Sequence, residues 1–247
     1  MEEPLLSIIT VTWNAASVIV PTLESVRQQS WHDFEHIIVD GASTDDTLAL
    51  VHAHGLERTR ILSERDKGLY DAMNKGIGLA RGRYLMFLNA GDALAHPDAL
   101  ACIALCAQDN PGVIYGQTQL VDAERKVVGK RHLTAPSHLS ADSFKHGMLV
   151  CHQAFIARRD LAPQYDLRYR YSADFDWCIR VLQVSPVNAY VGDQPIISFL
   201  NDGLTTANHR ASLRERYDIM CHYYGTLPTM LRHVGFAGRH LWRKITS

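Results

Sequence analysis

The sequence has no long hydrophobic run and no leader-like start. No uncharged stretch approaches the ~20 apolar residues that a membrane-spanning helix needs. Residues 1–6 lack the charged, apolar and small-residue regions of a signal peptide and lead directly into a strand pattern. We therefore expect a cytoplasmic protein. The formal net charge of -1 over 247 residues gives no overall attraction to nucleic acid, so no nucleic-acid partner is expected.

Cysteine is scarce, and its spacing matches no known framework. The five cysteines include no C-x-x-C pair, and their odd number argues against both a disulfide framework and a zinc knuckle. Cys102 and Cys106 are one helical turn apart, but both lie in an apolar stretch, where a free cysteine packs as a small hydrophobic residue. The thirteen histidines include no H-E-x-x-H motif that would organise a metal site.

The first 110 residues alternate between buried strands and helices. Apolar runs predict strands over Leu6–Thr12, Phe34–Val39, Arg60–Ser63 and Tyr84–Leu88. Helices are predicted over Ser17–Gln29, Thr44–His54, Gly68–Ala80 and Pro97–Ala107. This alternation predicts an α/β fold with a doubly wound, mostly parallel sheet and helices on both faces. Ligands of such sheets bind at the carboxyl ends of the strands.

The pattern changes after about residue 110. Short segments predict antiparallel strands over Val113–Tyr115, Thr118–Val121 and Val127–Lys130. A helix over Ala173–Val184 and strands over Asn188–Val191 and Ile196–Leu200 follow. We expect one domain with a nucleotide-binding half (1–110) and an acceptor-binding, catalytic half (111–225), followed by a basic amphipathic helix (226–247).

Acidic residues follow two of the predicted strands. Asp40 closes a buried apolar strand, which costs free energy unless the carboxylate has a partner, and a bound uracil or guanine N–H could supply one. The residues from Ser43 to Asp46 are also explained by capping of the next helix. Asp92 follows another buried strand, where it could hold Mg²⁺ or Mn²⁺ beside a diphosphate or simply begin a helix.

Two further segments have competing explanations. Asp174 and Asp176 lie about 200° apart on a helix, so only one can be a general base facing a substrate. Both could instead complement the helix dipole. Gly76 and Gly78 each cost a helix about 1 kcal/mol relative to alanine, which close packing and an adjacent ligand explain equally well.

Taken in order, several segments resemble the family-2 glycosyltransferases, most closely the bacterial branch that builds exopolysaccharide and lipopolysaccharide repeats. They cover most of residues 7–180 and read SIITVTWN, IIVDGASTDDT, SERDKGLYDAMNKGIGLARGRYLMFLNAGD, and CHQAFIARRDL with YDLRYRYSADFDW. The resemblance implies a GT-A fold and a hexosyltransferase that uses a UDP- or GDP-linked sugar donor. It also implies a saccharide or lipid-linked acceptor, a divalent cation (Mg²⁺ or Mn²⁺) and an inverting single displacement.

The resemblance also assigns roles to individual residues. Those implied to hold the nucleoside are Thr10, Thr12, Asn14, Asp40, Ser43 and Asp45, and those along the donor are Asn74, Gly76 and Asn89. Asp92 becomes the metal ligand, because Asn89 and Gly91 stand where the family usually has an Asp-x-Asp motif. Asp174 becomes the general base, with Asp176 supporting it. His152 and Gln153 are implied to contact the acceptor or the diphosphate.

Two other functions are compatible with a nucleotide-binding α/β sheet. A nucleotidyltransferase is disfavoured because the segment after the first strand, residues 12–16, has neither the glycine nor the basic residue that such enzymes use for a triphosphate. A non-catalytic nucleotide- or sugar-binding module is the alternative that the altered Asp-x-Asp motif favours. Residues 226–247 form a helix pattern with opposite apolar and basic faces, which can lie on an anionic membrane or dock on the protein.

Overall fold

A nine-stranded sheet runs through both halves of the chain. The computed structural model describes residues 3–201 and 209–233. The strands are β1 (Leu6–Thr12), β2 (Phe34–Asp40), β3 (Arg60–Ser63), β4 (Tyr84–Phe87), β5 (Ala93–Leu94), β6 (Val113–Val121), β7 (Val127–Lys130), β8 (Phe155–Arg158) and β9 (Asn188–Leu200). The helices are α1 (Ile19–Arg27), α2 (Thr47–His54), α3 (Leu69–Leu79), α4 (Ala99–Cys106), α5 (Ala173–Val184) and α6 (His209–Tyr224).

The strand order is β3-β2-β1-β4-β8-β6-β9-β5, and β7 pairs with the outer part of β6. Strands β3, β2, β1 and β4 are parallel, as are β6 and β9. Strand β8 is antiparallel to both β4 and β6, so it joins the two parallel groups into one sheet. The predicted α/β class with a mostly parallel sheet is therefore confirmed.

The central strands are buried on both faces, as their apolar runs predict. Every residue of β1 and β4 is buried, because helices cover the sheet from two sides. Helix α1 buries Ile19, Leu23 and Val26, while α3 buries Tyr70 and Met73. This layering leaves the carboxyl ends of the parallel strands as the edge where loops can form a site.

The second half differs from the sequence prediction in two respects. The predicted pairs of short strands around residues 113–121 and 188–200 are single long strands, β6 and β9. A register shift between Tyr115 and Thr118 accounts for the break between the two strands predicted over residues 113–121. Strand β6 also pairs in parallel with β9, whereas it is antiparallel only to β7 and β8.

Gly76 is explained by packing of α3 on β1. A Cβ atom added at Gly76 would lie 2.5 Å from Cγ2 of Ile9, which is fully buried in β1. The same addition at Gly78 meets nothing within 4 Å. The close approach of α3 to the sheet therefore explains why position 76 is a glycine, and its position along the donor stays a prediction.

This contrast predicts opposite stability effects for two alanine substitutions in one helix. We expect Gly76→Ala to destabilise the protein by about 1–2 kcal/mol, since overpacking outweighs the helix-propensity gain. We expect Gly78→Ala to stabilise it by about 0.5–1 kcal/mol, because only the propensity changes. Urea unfolding of both variants measures the difference. Equal stability of the two variants would show that α3 does not pack on Ile9 as described.

The chain after α6 is described only in part. Residues 226–233 are helical, and the side chains of Leu227 and Leu231 on the predicted apolar face are each 63% exposed. The remainder of the predicted amphipathic helix, residues 234–247, lies outside the described residues. Within the described ranges, no helix is long and apolar enough to cross a membrane.

Candidate active site

Four strands of the parallel group end side by side. Asp40 lies opposite Ser63 of β3 and opposite Thr12 of β1. Pairing between β1 and the residues after β4 continues as far as Ala90, whose N–H donates to the carbonyl of Val11. The residues that follow these strands therefore come together at the carboxyl edge of the sheet, where ligands of such sheets bind.

Asp40 has partners within the protein. Its side chain is fully buried, and its Oδ2 accepts hydrogen bonds from the Ser43 N–H (2.9 Å) and the Ser63 hydroxyl (2.7 Å). The Ser43 hydroxyl donates to Oδ1. A bound base is therefore not required to explain this buried carboxylate, which corrects the sequence argument. Each carboxylate oxygen has two lone pairs, so acceptor capacity remains for a ligand N–H at Oδ1.

The loops after β1 and β2 hold each other in place. The Asn14 N–H donates to the Ser43 hydroxyl (2.8 Å), and the Asn14 amide oxygen accepts from the Thr44 N–H (2.9 Å). The Asp45 carboxylate accepts from the N–H groups of Ala16 (3.1 Å) and Thr47 (3.0 Å). The hydrogen bond from the Thr47 hydroxyl is the main reason why the pKa of Asp45 lies below its usual range. In this arrangement the side chains of Asn14, Ser43 and Asp45 build the loops of the site.

Two of the predicted donor-binding residues have buried polar atoms that lack a partner. Thr12 Oγ1 and Asn89 Oδ1 are buried without a hydrogen-bond partner in the described part of the chain. Leaving such an atom unpaired costs about 1–3 kcal/mol. Because Thr12 ends β1 and Asn89 follows the adjacent β4, both unpaired atoms lie at the edge where a ligand would bind.

Thr10 and Asn74 have their hydrogen bonds elsewhere. Thr10 is fully buried within β1, and its Oγ1 lies 3.0 Å from Nε2 of His36. Burial lowers the pKa of His36 to about 4, so this imidazole is neutral at neutral pH. The Asn74 side chain bonds the main chain of Tyr165 through both amide atoms, at 3.0 and 2.6 Å. Both side chains therefore have partners within the protein, and the donor contacts that the resemblance implies stay predictions.

Asp92 joins three segments that are distant in sequence. Its Oδ2 accepts from the Gln153 amide (2.6 Å) and its Oδ1 from the Leu200 N–H (3.0 Å). The side chain is 5% exposed. Burial raises the pKa of Asp92 to about 7, while the hydrogen bonds from Leu200 and Gln153 and the charge of Arg125 act in the opposite direction. The carboxylate therefore fixes the loop after β4 against β9.

Asp92 is held by the protein on both sides of its carboxylate. Its two oxygens accept hydrogen bonds from Gln153 and Leu200, and each oxygen keeps a second lone pair that could face a cation. Gly91, in the preceding position, has no side chain. No group of three or more acidic, histidine or cysteine side chains in residues 3–201 and 209–233 could hold a metal ion. The metal-ligand role of Asp92 that the resemblance implies therefore stays a prediction, in which phosphate oxygens and water would supply the other ligands.

Asp174 lies at the start of α5 and is half-buried. Its Oδ1 accepts hydrogen bonds from the Tyr70 hydroxyl (3.0 Å) and the Phe175 N–H (2.9 Å). Burial, followed by the charge of Asp174, raises the pKa of Tyr70 well above its usual value, so Tyr70 remains a hydrogen-bond donor. The second carboxylate oxygen has no hydrogen bond within the described part of the chain. Asp174 is therefore held in one orientation with an oxygen available for a proton.

Asp176 points into the protein instead. It is 4% exposed, and its Oδ2 accepts from Nε of Arg180 at 2.7 Å while its Oδ1 accepts from the Tyr223 hydroxyl at 2.8 Å. The two aspartates therefore have different surroundings, as their angular separation on the helix predicts.

A row of aromatic rings links Asp174 to the end of β4. Tyr70 stacks on Tyr165 with ring centroids 5.5 Å apart, and the Tyr165 hydroxyl lies 2.5 Å from Nε2 of His152. His152 stacks on Phe87, the last residue of β4, at 5.0 Å. His152 is 5% exposed, and burial lowers its pKa to about 4. His152 is therefore a neutral, buried ring in this structure, and the ligand contact that the resemblance implies stays a prediction.

Three residues near the site have no role predicted from the sequence. Trp13 directly follows β1 and is 68% exposed, which is unusual for so large an apolar ring. Its place at the end of a predicted strand could have been read from the sequence. Tyr70 and Arg125 gave no such signal, because their partners Asp174 and Gly91 are 104 and 34 residues away in sequence.

Comparison with known proteins identifies the family. The sequence model described as "Glycosyl transferase family 2" matches residues 7–165. The chain belongs to this family. It is 39% identical over 188 residues to a "PGL/p-HBAD biosynthesis glycosyltransferase" of Mycobacterium bovis, a match that covers 73% of this chain and 70% of the relative. The predicted family, and glycosyl transfer as its activity, are thus confirmed.

Solved structures show that this family-2 glycosyltransferase has the GT-A fold. Residues 1–349 of S. aureus TarS in complex with UDP-GlcNAc match with a TM-score of 0.70 and 18% identity, over 87% of this chain and 64% of that one. The mannosyltransferase PcManGT from Pyrobaculum calidifontis, solved with GDP-Man and Mn²⁺, matches with a TM-score of 0.61 and 15% identity. That match covers 96% of this chain and 76% of PcManGT.

Proposed function

We propose that this glycosyltransferase moves a hexose from a nucleoside-diphosphate sugar to a saccharide or lipid-linked acceptor, with inversion at the anomeric carbon. The observation that carries the proposal is the half-buried Asp174, which Tyr70 orients and whose second carboxylate oxygen accepts no hydrogen bond from the described residues. The buried Asp176, by contrast, is fully engaged by Arg180 and Tyr223. Complexes of the structural neighbours with UDP-GlcNAc and GDP-Man support a nucleotide-sugar donor.

The nucleoside of the donor would lie at the edge formed by β1 and β2. The exposed ring of Trp13 offers a face on which a base can stack. Asp40 has remaining acceptor capacity for a base N–H, as found in both uracil and guanine. The unpaired Thr12 Oγ1 and Asn89 Oδ1 would gain partners from the base or the ribose.

In the proposed reaction, Asp174 takes the proton from an acceptor hydroxyl as that oxygen attacks the anomeric carbon. The attack comes from the face opposite the diphosphate. The bond between the anomeric carbon and the diphosphate oxygen breaks, and its electron pair remains on the diphosphate. General-base assistance of this kind contributes roughly 10²–10⁴-fold to the rate. A divalent cation bound with the donor would be held by Asp92 and would supply positive charge for the departing diphosphate.

The acceptor is proposed as a saccharide or a lipid-linked saccharide of the cell envelope. The biosynthesis named for the mycobacterial relative supports this class. Leu227, Met230 and Leu231 present 63%, 48% and 63% exposed side chains beyond α6. A lipid-linked acceptor would place the protein at the inner face of the cytoplasmic membrane. Residues 226–247 would then contact the membrane surface.

Nucleotide binding to the wild-type protein tests the proposed donor. A thermal-shift panel of UDP, GDP, dTDP and CDP, each with and without Mn²⁺, compares the candidate donors. A ligand at about a hundred times its dissociation constant stabilises by roughly 2.7 kcal/mol, which raises Tm by roughly 5–10 °C for a chain of this length. We expect one or two of these nucleotides to give such a shift and ATP to give none. No shift with any diphosphate would count against a nucleotide-sugar enzyme.

A further inference from the structure

Arg125 reaches the loop after β4 from the turn between β6 and β7. The turn is closed by hydrogen bonds in which the Asp122 N–H donates to the Lys126 carbonyl and the Arg125 N–H donates to the Asp122 carbonyl, both at 3.0 Å. Arg125 has φ 65°, a left-handed backbone conformation that is uncommon for residues other than glycine. Its half-buried side chain crosses to Gly91, where Nη1 donates to the carbonyl oxygen at 2.6 Å.

The positive charge of Arg125 has no counterion in direct contact. In the part of the chain that the structure describes, no carboxylate lies within 4.0 Å of its guanidinium. Asp92 attracts it from farther away, while burial lowers the pKa of Arg125. A guanidinium has five N–H donors and stays protonated in proteins, so one carbonyl leaves most of its hydrogen-bonding capacity unused. Such a half-buried cation favours an anionic ligand.

The place that Arg125 occupies gives the class of that anion. Gly91 is two residues beyond Asn89, and two residues of extended chain span at most ~7 Å. The guanidinium therefore lies within about 10 Å of Asn89, whose Oδ1 is buried without a partner in the described part of the chain. Arg125 thus brings a positively charged side chain to this loop, next to Asp92, whose oxygens accept hydrogen bonds from Leu200 and Gln153.

We propose that Arg125 binds the diphosphate of the donor, and this inference rests on the proposed function. Its planar guanidinium can donate paired hydrogen bonds to phosphate oxygens, a geometry that a lysine ammonium does not reproduce. When the bond to the anomeric carbon breaks, negative charge grows on the diphosphate oxygen that departs. Arg125 stabilises this charge electrostatically and keeps its own proton.

Titration of nucleotides and nucleosides tests the assignment. UDP and GDP, with uridine and guanosine as partners lacking the diphosphate, are titrated by calorimetry into wild-type protein and the Arg125→Gln variant in EDTA. We expect Arg125→Gln to lose at least about tenfold in affinity for the diphosphate that binds, since hydrogen bonds to charged groups are strong. Nucleoside affinity should change less than twofold. Arg125→Lys, which keeps the charge but not the paired donors, should be intermediate.

Lys126→Gln is the matched control, because it removes the same charge from an exposed neighbour in the same turn. It should alter neither affinity. Circular dichroism confirms that each variant is folded, and Arg125→Lys replaces Arg125→Gln if the latter is not. Equal diphosphate affinity in wild type and the Arg125 variants, both in EDTA and with Mn²⁺, would overturn the inference. Failure of the wild-type protein to bind any diphosphate under either condition would instead overturn the proposed function.

Discussion

Asp174→Asn is expected to lower the turnover of the enzyme by roughly 10²–10⁴-fold while leaving nucleotide affinity within about twofold of wild type. Asparagine has nearly the same shape, and its amide oxygen can still accept from the Tyr70 hydroxyl, which bonds Asp174 at 3.0 Å. It cannot take a proton from the acceptor. Steady-state rates of nucleoside-diphosphate release, together with a nucleotide titration of each protein, measure the two quantities separately.

The control for this variant is a tyrosine substitution away from the site. Tyr84→Phe removes a hydroxyl that donates to the Pro111 carbonyl (2.9 Å) at the opposite end of β4, so turnover should be unchanged. If Asp174→Asn turned over as fast as wild type, the general base would have to be another group, and the proposed mechanism would be wrong. Lost nucleotide binding in this variant would place Asp174 in the donor site instead.

Asp176→Asn is expected to lower stability instead of turnover. The substitution removes the negative charge that faces Arg180 at 2.7 Å, and an amide is a weaker acceptor for the Tyr223 hydroxyl. Asp176 is buried, but Arg180 keeps 27% of its side chain exposed. We therefore expect the free energy of unfolding to fall by about 2 kcal/mol, which is less than for a fully buried ion pair. For a chain of this length Tm should fall by roughly 4–8 °C.

Thermal unfolding and turnover of the same Asp176→Asn sample distinguish the two aspartates. At a temperature where the variant is folded, its turnover should stay within a few-fold of wild type. An unchanged Tm with lost turnover would reverse the assignment and make Asp176 the base. The pair of variants therefore tests whether one helix contributes a chemical group on one side and a structural group on the other.

Local patterns predicted the elements whose environment follows from their own residues. The apolar runs of β1, β2 and β4 indicate burial on both faces, and their bounds agree with the structure to within one residue. The strand-end position of Asp40 and Asn89 follows from the same pattern. The helical periodicity of α5 separates Asp174 from Asp176 without any knowledge of their partners.

Contacts between distant segments were not accessible in this way. Strand β8 is only four residues long, and its place between β4 and β6 depends on pairing with residues forty or more positions away. Asp92 bonds Gln153 and Leu200, which are 61 and 108 residues later in the chain. A carboxylate at a strand end predicts a metal ligand or an interior hydrogen-bond acceptor equally well, and only its partners decide between them.

Transfer of sugar from a nucleotide donor is the proposed reaction, and an assay with labelled donors tests it directly. The full chain is incubated with radiolabelled UDP- and GDP-linked hexoses and a bacterial envelope extract that contains glycolipids and polysaccharides. We predict that label enters the acceptor fraction with one donor, that one nucleoside diphosphate is released per sugar transferred, and that Asp174→Asn abolishes both. A protein that binds the donor but transfers no label would contradict the account and make the chain a nucleotide-sugar-binding module.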